Sequence, residues 1–332
     1  MALYRPRVRI PSSPPGGERE FSAFSILVMW MKRLLVFILV LIEAALVAVP
    51  SVFFTDDGRA VQRILNVLED AQEEVILVSY SLDETEIMKC LNHLERRGVR
   101  IEVMIDDSTV DRAFAKSPEF EIRSDTAAAL VHSKFLVVDR QVVVFGTGNF
   151  TEGSLREDSN SFLVFESPSV AELFLRYFEA IETGVSLDEV NIGNIDFYLC
   201  PSQEARKRVI KELMGARREI CFAMFAFTDP EILAALKFCA SIGVRVTGIV
   251  DSWNEDSPLR EYLTSGMEVD EGGAVTIHDK TFVVDGETVI TGSANASLSG
   301  WGKNREVVAI IDSRELAKEF VNHFEYIRGV SR

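Results

Sequence analysis

The sequence predicts an α/β sandwich fold built twice in one chain, with a mostly parallel or mixed sheet in each copy and an apolar anchor in front. Three observations carry this. Strand-like and helix-like runs alternate from residue 59 onward. The second half repeats the first: Ala71–Ser81 aligns with Ala216–Ala226, and Met104–Asp106 with Ile249–Asp251, at an offset of 145. One polar motif recurs at an offset of 146, as His132-x-Lys134 and His278-x-Lys280.

Taken in order, residues 1–20 are rich in Pro, Ser, Gly and Arg and read as disordered. Residues 21–55 read as a signal anchor. Their apolar run Leu34–Phe54 is broken only by Glu43, Pro50 and Ser51, and it is long enough to cross a bilayer. Lys32 and Arg33 before the run and Asp56 and Asp57 after it place the rest of the chain outside the cytoplasm. Cleavage would make the product secreted, and a start at Met29 or Met31 would give a conventional signal. The first repeat is expected over 59–184, a linker over 185–196 and the second repeat over 197–330.

Each repeat opens on a helix (Ala60–Ala71; Glu204–Ala216) and a buried strand (Val75–Tyr80; Ile220–Phe225). A second helix follows (Glu84–Arg97; Pro230–Ile242), then a second strand (Val99–Ile105; Val244–Val250). The motif strands Phe135–Val138 and Thr281–Val284 come next, then Gln141–Phe145 and Thr288–Thr291, and a closing strand and helix.

Composition narrows the function. Residues 1–55 hold six Lys/Arg and three Asp/Glu of the chain's 35 and 51, so the remainder carries −19. That field disfavours tight, sequence-independent binding of nucleic acid. The four cysteines form no CxxC pair and have no histidine at zinc spacing, so they read as buried thiols and no metal site is expected. The stretches Asp106–Thr126 and Asp251–Gly273, which lead into His132 and His278, are acidic and are expected to border any pocket formed at the histidines. Trp253 and Trp301 flank it, as substrate contacts or as packing. His93 and His323 lie outside the motifs and read as surface or packing residues.

In an extended segment alternate side chains share a face, so His132 projects with Lys134, and His278 with Lys280. An imidazole and an ammonium side by side, followed by a donor-rich turn, make a site for an anion such as phosphate. The full pattern adds Asp139, Gly146, Thr147 and Asn149 in the first copy, and Asp285, Gly292, Ser293 and Asn295 in the second. This His-x-Lys-x4-Asp-x6-Gly-Ser/Thr-x-Asn pattern, present twice, resembles the phospholipase D superfamily over residues 59–328. Its compact repeats resemble the small Nuc-type endonucleases and mitochondrial cardiolipin hydrolases, here as a dimer fused into one chain.

The resemblance implies repeats packed about a pseudo-twofold axis with both motifs in one cleft. It implies a monomeric phosphodiesterase that needs no cofactor: one histidine attacks phosphorus, the other protonates the leaving oxygen, and Lys134 and Lys280 neutralise phosphate. Asn149, Asn295, Thr147 and Ser293 are then expected to hydrogen-bond substrate. Asp139, Asp285, Gly146 and Gly292 hold the backbone. A downstream carboxylate orients each motif histidine in that superfamily. Glu306 lies at this place after His278, and Asn160, with Asp158 nearby, lies at it after His132. The expectation is that His278, with a carboxylate, is the acid and His132 the nucleophile. A phospholipid is the expected substrate, with the membrane as partner through the anchor; DNA or RNA cleavage is the alternative.

Overall fold

Each strand run alternates its apolar side chains between two faces, and the computed structural model of the protein shows both faces buried in different cores. It describes residues 49–125, 129–187, 189–254, 266–273 and 275–331. The first sheet comprises β1 (Ser51–Phe54), β2 (Glu74–Ser79), β3 (Arg100–Asp106), β4 (Glu121–Asp125), β5 (Phe135–Val138), β6 (Val142–Gly146) and β7 (Ser161–Glu166). Its order is β1-β7-β6-β5-β2-β3-β4. Strands β2, β3 and β4 run parallel, and the remaining pairings are antiparallel.

The second sheet repeats this with β8 (Val190–Ile192), β9 (Ile195–Cys200), β10 (Glu219–Met224), β11 (Arg245–Val250), β12 (Glu268–Glu271), β13 (Lys280–Val284), β14 (Thr288–Gly292) and β15 (Glu306–Asp312). Its order is β12-β11-β10-β13-β14-β15-β9-β8. In β2, Val75 and Leu77 enter an outer core, while Ile76 and Val78 enter an inner one. Likewise Phe282 and Val284 of β13 face outward and Val283 faces inward.

The helices separate along the same lines. The outer faces are covered by α1 (Ala60–Glu69) and α2 (Thr85–Arg96) in the first repeat, and by α6 (Gln203–Met214) and α7 (Pro230–Ser241) in the second. Short α3 (Val110–Phe114), α4 (Glu152–Arg156) and α8 (Leu298–Gly302) lie in the loops. The inner core is common to both sheets. It takes Phe174 and Phe178 of α5 (Pro168–Thr183) and Leu316 and Phe320 of α9 (Arg314–Ser331), with Phe135, Phe145, Phe197 and Val307. Both sheets belong to one unit, Val47–Arg332. Continuous apolar packing across the repeat boundary fixes how one motif faces the other.

Two boundaries differ from expectation. The last residues of the apolar run Leu34–Phe54 are β1, which pairs antiparallel with β7, because their backbone groups find partners along that open edge. The stretch expected as linker contains β8 and the start of β9 for the same reason. The remainder of the anchor and the tail before it lie outside the described residues. Among the described residues no helix is long and apolar enough to cross a membrane.

Two glycines are required by close approach. A side chain at Gly146 would collide with the Ser161 carbonyl oxygen, and one at Gly292, where φ is 150°, with that of Val307. The first positions of both β-hairpin turns after the motif strands are aspartates in the left-handed region, Asp139 (φ 49°) and Asp285 (φ 54°).

Candidate active site

The motif histidines sit on short extended stretches just before β5 and β13, and the opposite repeat holds each stretch. The His132 amide donates to the Arg305 carbonyl (3.0 Å), and the His278 amide donates to the Ser159 carbonyl (3.0 Å). One residue before each histidine, a buried carboxylate from the end of β3 or the residue after β11 takes the backbone N–H. Asp106 accepts from Val131 and Asp251 from Ile277, each at 2.9 Å. These two acids, counted by sequence among cleft-bordering charges, are structural props.

The side chains cross between repeats as the backbones do. Nδ1 of His132 lies 2.8 and 2.9 Å from the two carboxylate oxygens of Glu306. Nδ1 of His278 lies 2.9 Å from Oδ1 of Asn160. The expected pairing of Glu306 with His278 and of Asn160 with His132 is therefore reversed. Sequence offset counts along one repeat, whereas the backbone bridges 131–305 and 159–277 bring each partner from the other. Asp158 does not replace Asn160; its side chain bonds Thr276, and burial raises its carboxyl.

The hydrogen bonds of Asn160 fix its amide orientation and with it the tautomer of His278. The Asn160 Nδ2 donates to the Ser154 carbonyl (2.9 Å) and its Oδ1 accepts from the Thr147 hydroxyl (3.0 Å). His278 must then donate from Nδ1, which makes Nε2 the unprotonated nitrogen of the neutral ring. A carboxylate imposes the same tautomer on His132.

Thr147 and Ser293 are corrected with them. Both are fully buried, and neither hydroxyl proton is left for substrate. Thr147 donates to Asn160, Ser293 bonds Glu306, and their oxygens accept the Ser161 and Val307 amides at 3.0 Å. Asn149 and Asn295 remain partly exposed on the turns that follow β6 and β14. Oδ1 of Asn295 accepts from the Ala226 amide (3.2 Å), which leaves its NH₂ free of that contact.

Lys134 and Lys280 are buried, and each ammonium bonds the carbonyl of its own motif histidine. Burial drives the Lys134 pKa well below its usual range and lowers that of Lys280 to about 7, with neighbouring carboxylates opposing. Burial likewise lowers His132, against the pull of Glu306. It lowers His278 further, helped by the charges of Lys280 and Lys134 with no carboxylate in opposition. For Glu306 burial acts upward, but His132 and Lys134 hold the carboxyl below its ordinary value.

Asp139 and Asp285 stand away from this chemistry. Asp139 accepts the amides of Gln72, Glu73 and Glu74 at 2.8–2.9 Å, and Asp285 those of Arg217, Arg218 and Glu219. Each clamps the start of the neighbouring central strand.

Sequence reasoning placed Trp253 near the site but passed over the rings that touch the two histidines. Tyr80 tilts against His132 (ring centroids 5.5 Å) and reaches Ser108. Its repeat counterpart Phe225 packs on His278 (4.8 Å) and on Trp253 (5.9 Å), whose side is 56% exposed. The ring beside His132 thus carries a hydroxyl, whereas those beside His278 are a phenyl and an indole. An alignment of the strand ends, where 80 plus the repeat offset falls on 225, was the available signal. Trp301 is buried in the second outer core. His323 is also buried, and its Nε2 bonds Asp56 (2.7 Å).

Duplicated α/β repeats that meet on crossed His-x-Lys motifs define a phospholipase D-like protein. Comparison agrees: the family described as "Cardiolipin synthase, PLD-like domain" matches residues 64–182 and 209–328, and the chain belongs to it. A phospholipase D of Rickettsia typhi is 25% identical over 131 residues, 38% of this chain and 64% of that one. A mitochondrial cardiolipin hydrolase of Xenopus tropicalis is 32% identical over 136 residues, 38% of this chain and 63% of that one. These matches thus span less than two thirds of either curated relative. A phosphatidylserine synthase structure from Haemophilus influenzae Rd KW20 shares the fold, with a TM-score of 0.62 at 12% identity over 86% of this chain and 89% of that one.

Proposed function

We propose that the chain is a phosphodiesterase that cleaves phospholipids through a covalent phosphohistidine on His132. The crossed contact between Glu306 and His132 carries this reading. When Nε2 of His132 bonds phosphorus while Nδ1 keeps its proton, the ring becomes a lasting cation. The buried carboxylate at Nδ1 offsets that charge. His278 has the opposite need. It is cationic only while the substrate anion is present, passes its Nε2 proton to the leaving oxygen, and ends neutral on a neutral amide. Lys134 and Lys280 meet the non-bridging oxygens, with the amides of Asn149 and Asn295 beside them. In the second step His278 draws a proton from water, which attacks phosphorus and frees His132. The carboxylate marks the nucleophile here, not the acid as sequence position suggested.

The lipid assignment rests on the charge of −19 beyond residue 55, the aromatic wall of Phe225 and Trp253, and the apolar run ahead of β1, read as a membrane anchor with an extracytoplasmic catalytic unit. The second reading is a nuclease. The open face of Trp253 favours it, since bases stack on such rings. Offering the full chain phospholipid vesicles and, separately, single- and double-stranded nucleic acid at low salt decides between them. Headgroup release without nicking supports the lipid reading, and nicking without headgroup release replaces it. Activity should persist in EDTA, because the lysines supply the positive charge.

A further inference from the structure

Asn160 orients His278 with a single hydrogen bond, whereas Glu306 grips His132 with both oxygens. The weaker arrangement is reinforced from outside the family-matched segments. Thr55 lies directly after β1, and its hydroxyl is buried. It donates to the Asp158 carbonyl (2.6 Å) and accepts the Asn160 amide (2.8 Å). The Thr55 amide in turn donates to the Asn160 carbonyl (3.1 Å). The next residue, Asp56, accepts from the Ser159 hydroxyl (3.1 Å) and is held by His323, which stacks on Phe54 at 3.8 Å.

The repeat-related position is Cys200, directly opposite Glu306 on β15. Its thiol offers no equivalent clip, and the backbone there is tied instead by the Tyr177 hydroxyl, 3.0 Å from the carbonyls of Cys200 and Glu306. The side-chain hydroxyl clip is thus found on the amide side of the site.

We propose that Thr55 is a positioning residue for His278, acting through Asn160. The proposal rests on the reading of His278 as general acid. Displacing Asn160 by a few tenths of an ångström turns the imidazole out of line with the leaving oxygen, so the effect falls on proton donation and not on attack by His132.

The test compares two phosphatidyl diesters on the full chain: one with an alkyl headgroup, which must be protonated as it leaves, and one with p-nitrophenol, which leaves as the anion. The burst rate of the first turnover isolates phosphorylation from the shared hydrolysis step. Thr55→Val should slow the alkyl ester by about tenfold or more while holding the aryl ester within about threefold, and Thr55→Ser should restore both. Thr55→Cys, which installs the residue of the second repeat, should fall between them and decides the matter if the valine variant loses the aryl reaction through misfolding. Equal slowing of both esters by a folded variant, or of neither, overturns the proposal. His278→Asn separates the layers. If it slows both esters alike, the general-acid reading fails. If it spares the aryl ester while Thr55→Val and Thr55→Cys show no such selectivity, only the role of Thr55 fails.

Discussion

At the scale of single residues, the proposed function makes burial of the two lysines its most direct test, because burial outweighs the neighbouring carboxylates in lowering both. Lys280, lowered to about 7 by burial, is charged below that pH and loses its proton as pH rises through it. Binding of diethyl phosphate, whose own charge is constant over this range, should therefore weaken from pH 6 to pH 9. Lys280→Gln should bind it more weakly and with a shallower slope, since Lys134, also lowered by burial, remains. Flat binding by the unaltered protein across that range would contradict the buried-lysine account. Acid quench during turnover should trap phosphate on His132, and Glu306→Gln should lower the rate of its formation by about a hundredfold or more. Phosphate recovered on His278 would exchange the two roles. The residue types of the site were legible, because imidazole and ammonium at alternate strand positions leave few other uses. Their partners were not. Which side chain meets His132 depends on the bridge between Val131 and Arg305, a tertiary register with no local trace.

Elements account for the rest of the motif. Asp139 and Asp285 are distant from phosphate chemistry and each secures three backbone amides at a strand entry. Asp139→Ala should cost about 1–3 kcal/mol of folding stability, read by denaturant titration, while the folded fraction keeps its turnover. Loss of turnover with unchanged stability would place Asp139 in the chemistry instead. The strand and helix order was readable because apolar alternation and helical spacing are local. The outermost strands were not: β1 was hidden in an apolar run that also suits a bilayer, and β8 lies in a short polar stretch whose structure comes from pairing with β9. Thr147 and Ser293 were misread for a related reason. A hydroxyl on a turn suits phosphate as well as it suits a buried amide or carboxylate, and only packing distinguishes them.

In the whole molecule each motif histidine is held by the other repeat, and the proposed function makes the two motifs one reaction centre. Exhaustive labelling during turnover should reach one phosphoryl group per chain, and two would mean that each motif reacts by itself. Protease added to intact cells should reach the catalytic unit if the anchor is oriented as Lys32 and Arg33 imply. The crossed contacts also bear on direction. Two identical halves facing each other would accept a diester either way round, because an exchange of ends changes nothing. Here His132 has a carboxylate, with Tyr80 and Ser108 beside it, whereas His278 has an amide, with Phe225 and Trp253 beside it. If His278 is the acid, as proposed above, the site has a front and a back: of the two alcohols on a phosphodiester, the one on the side of Phe225 and Trp253 is the one released.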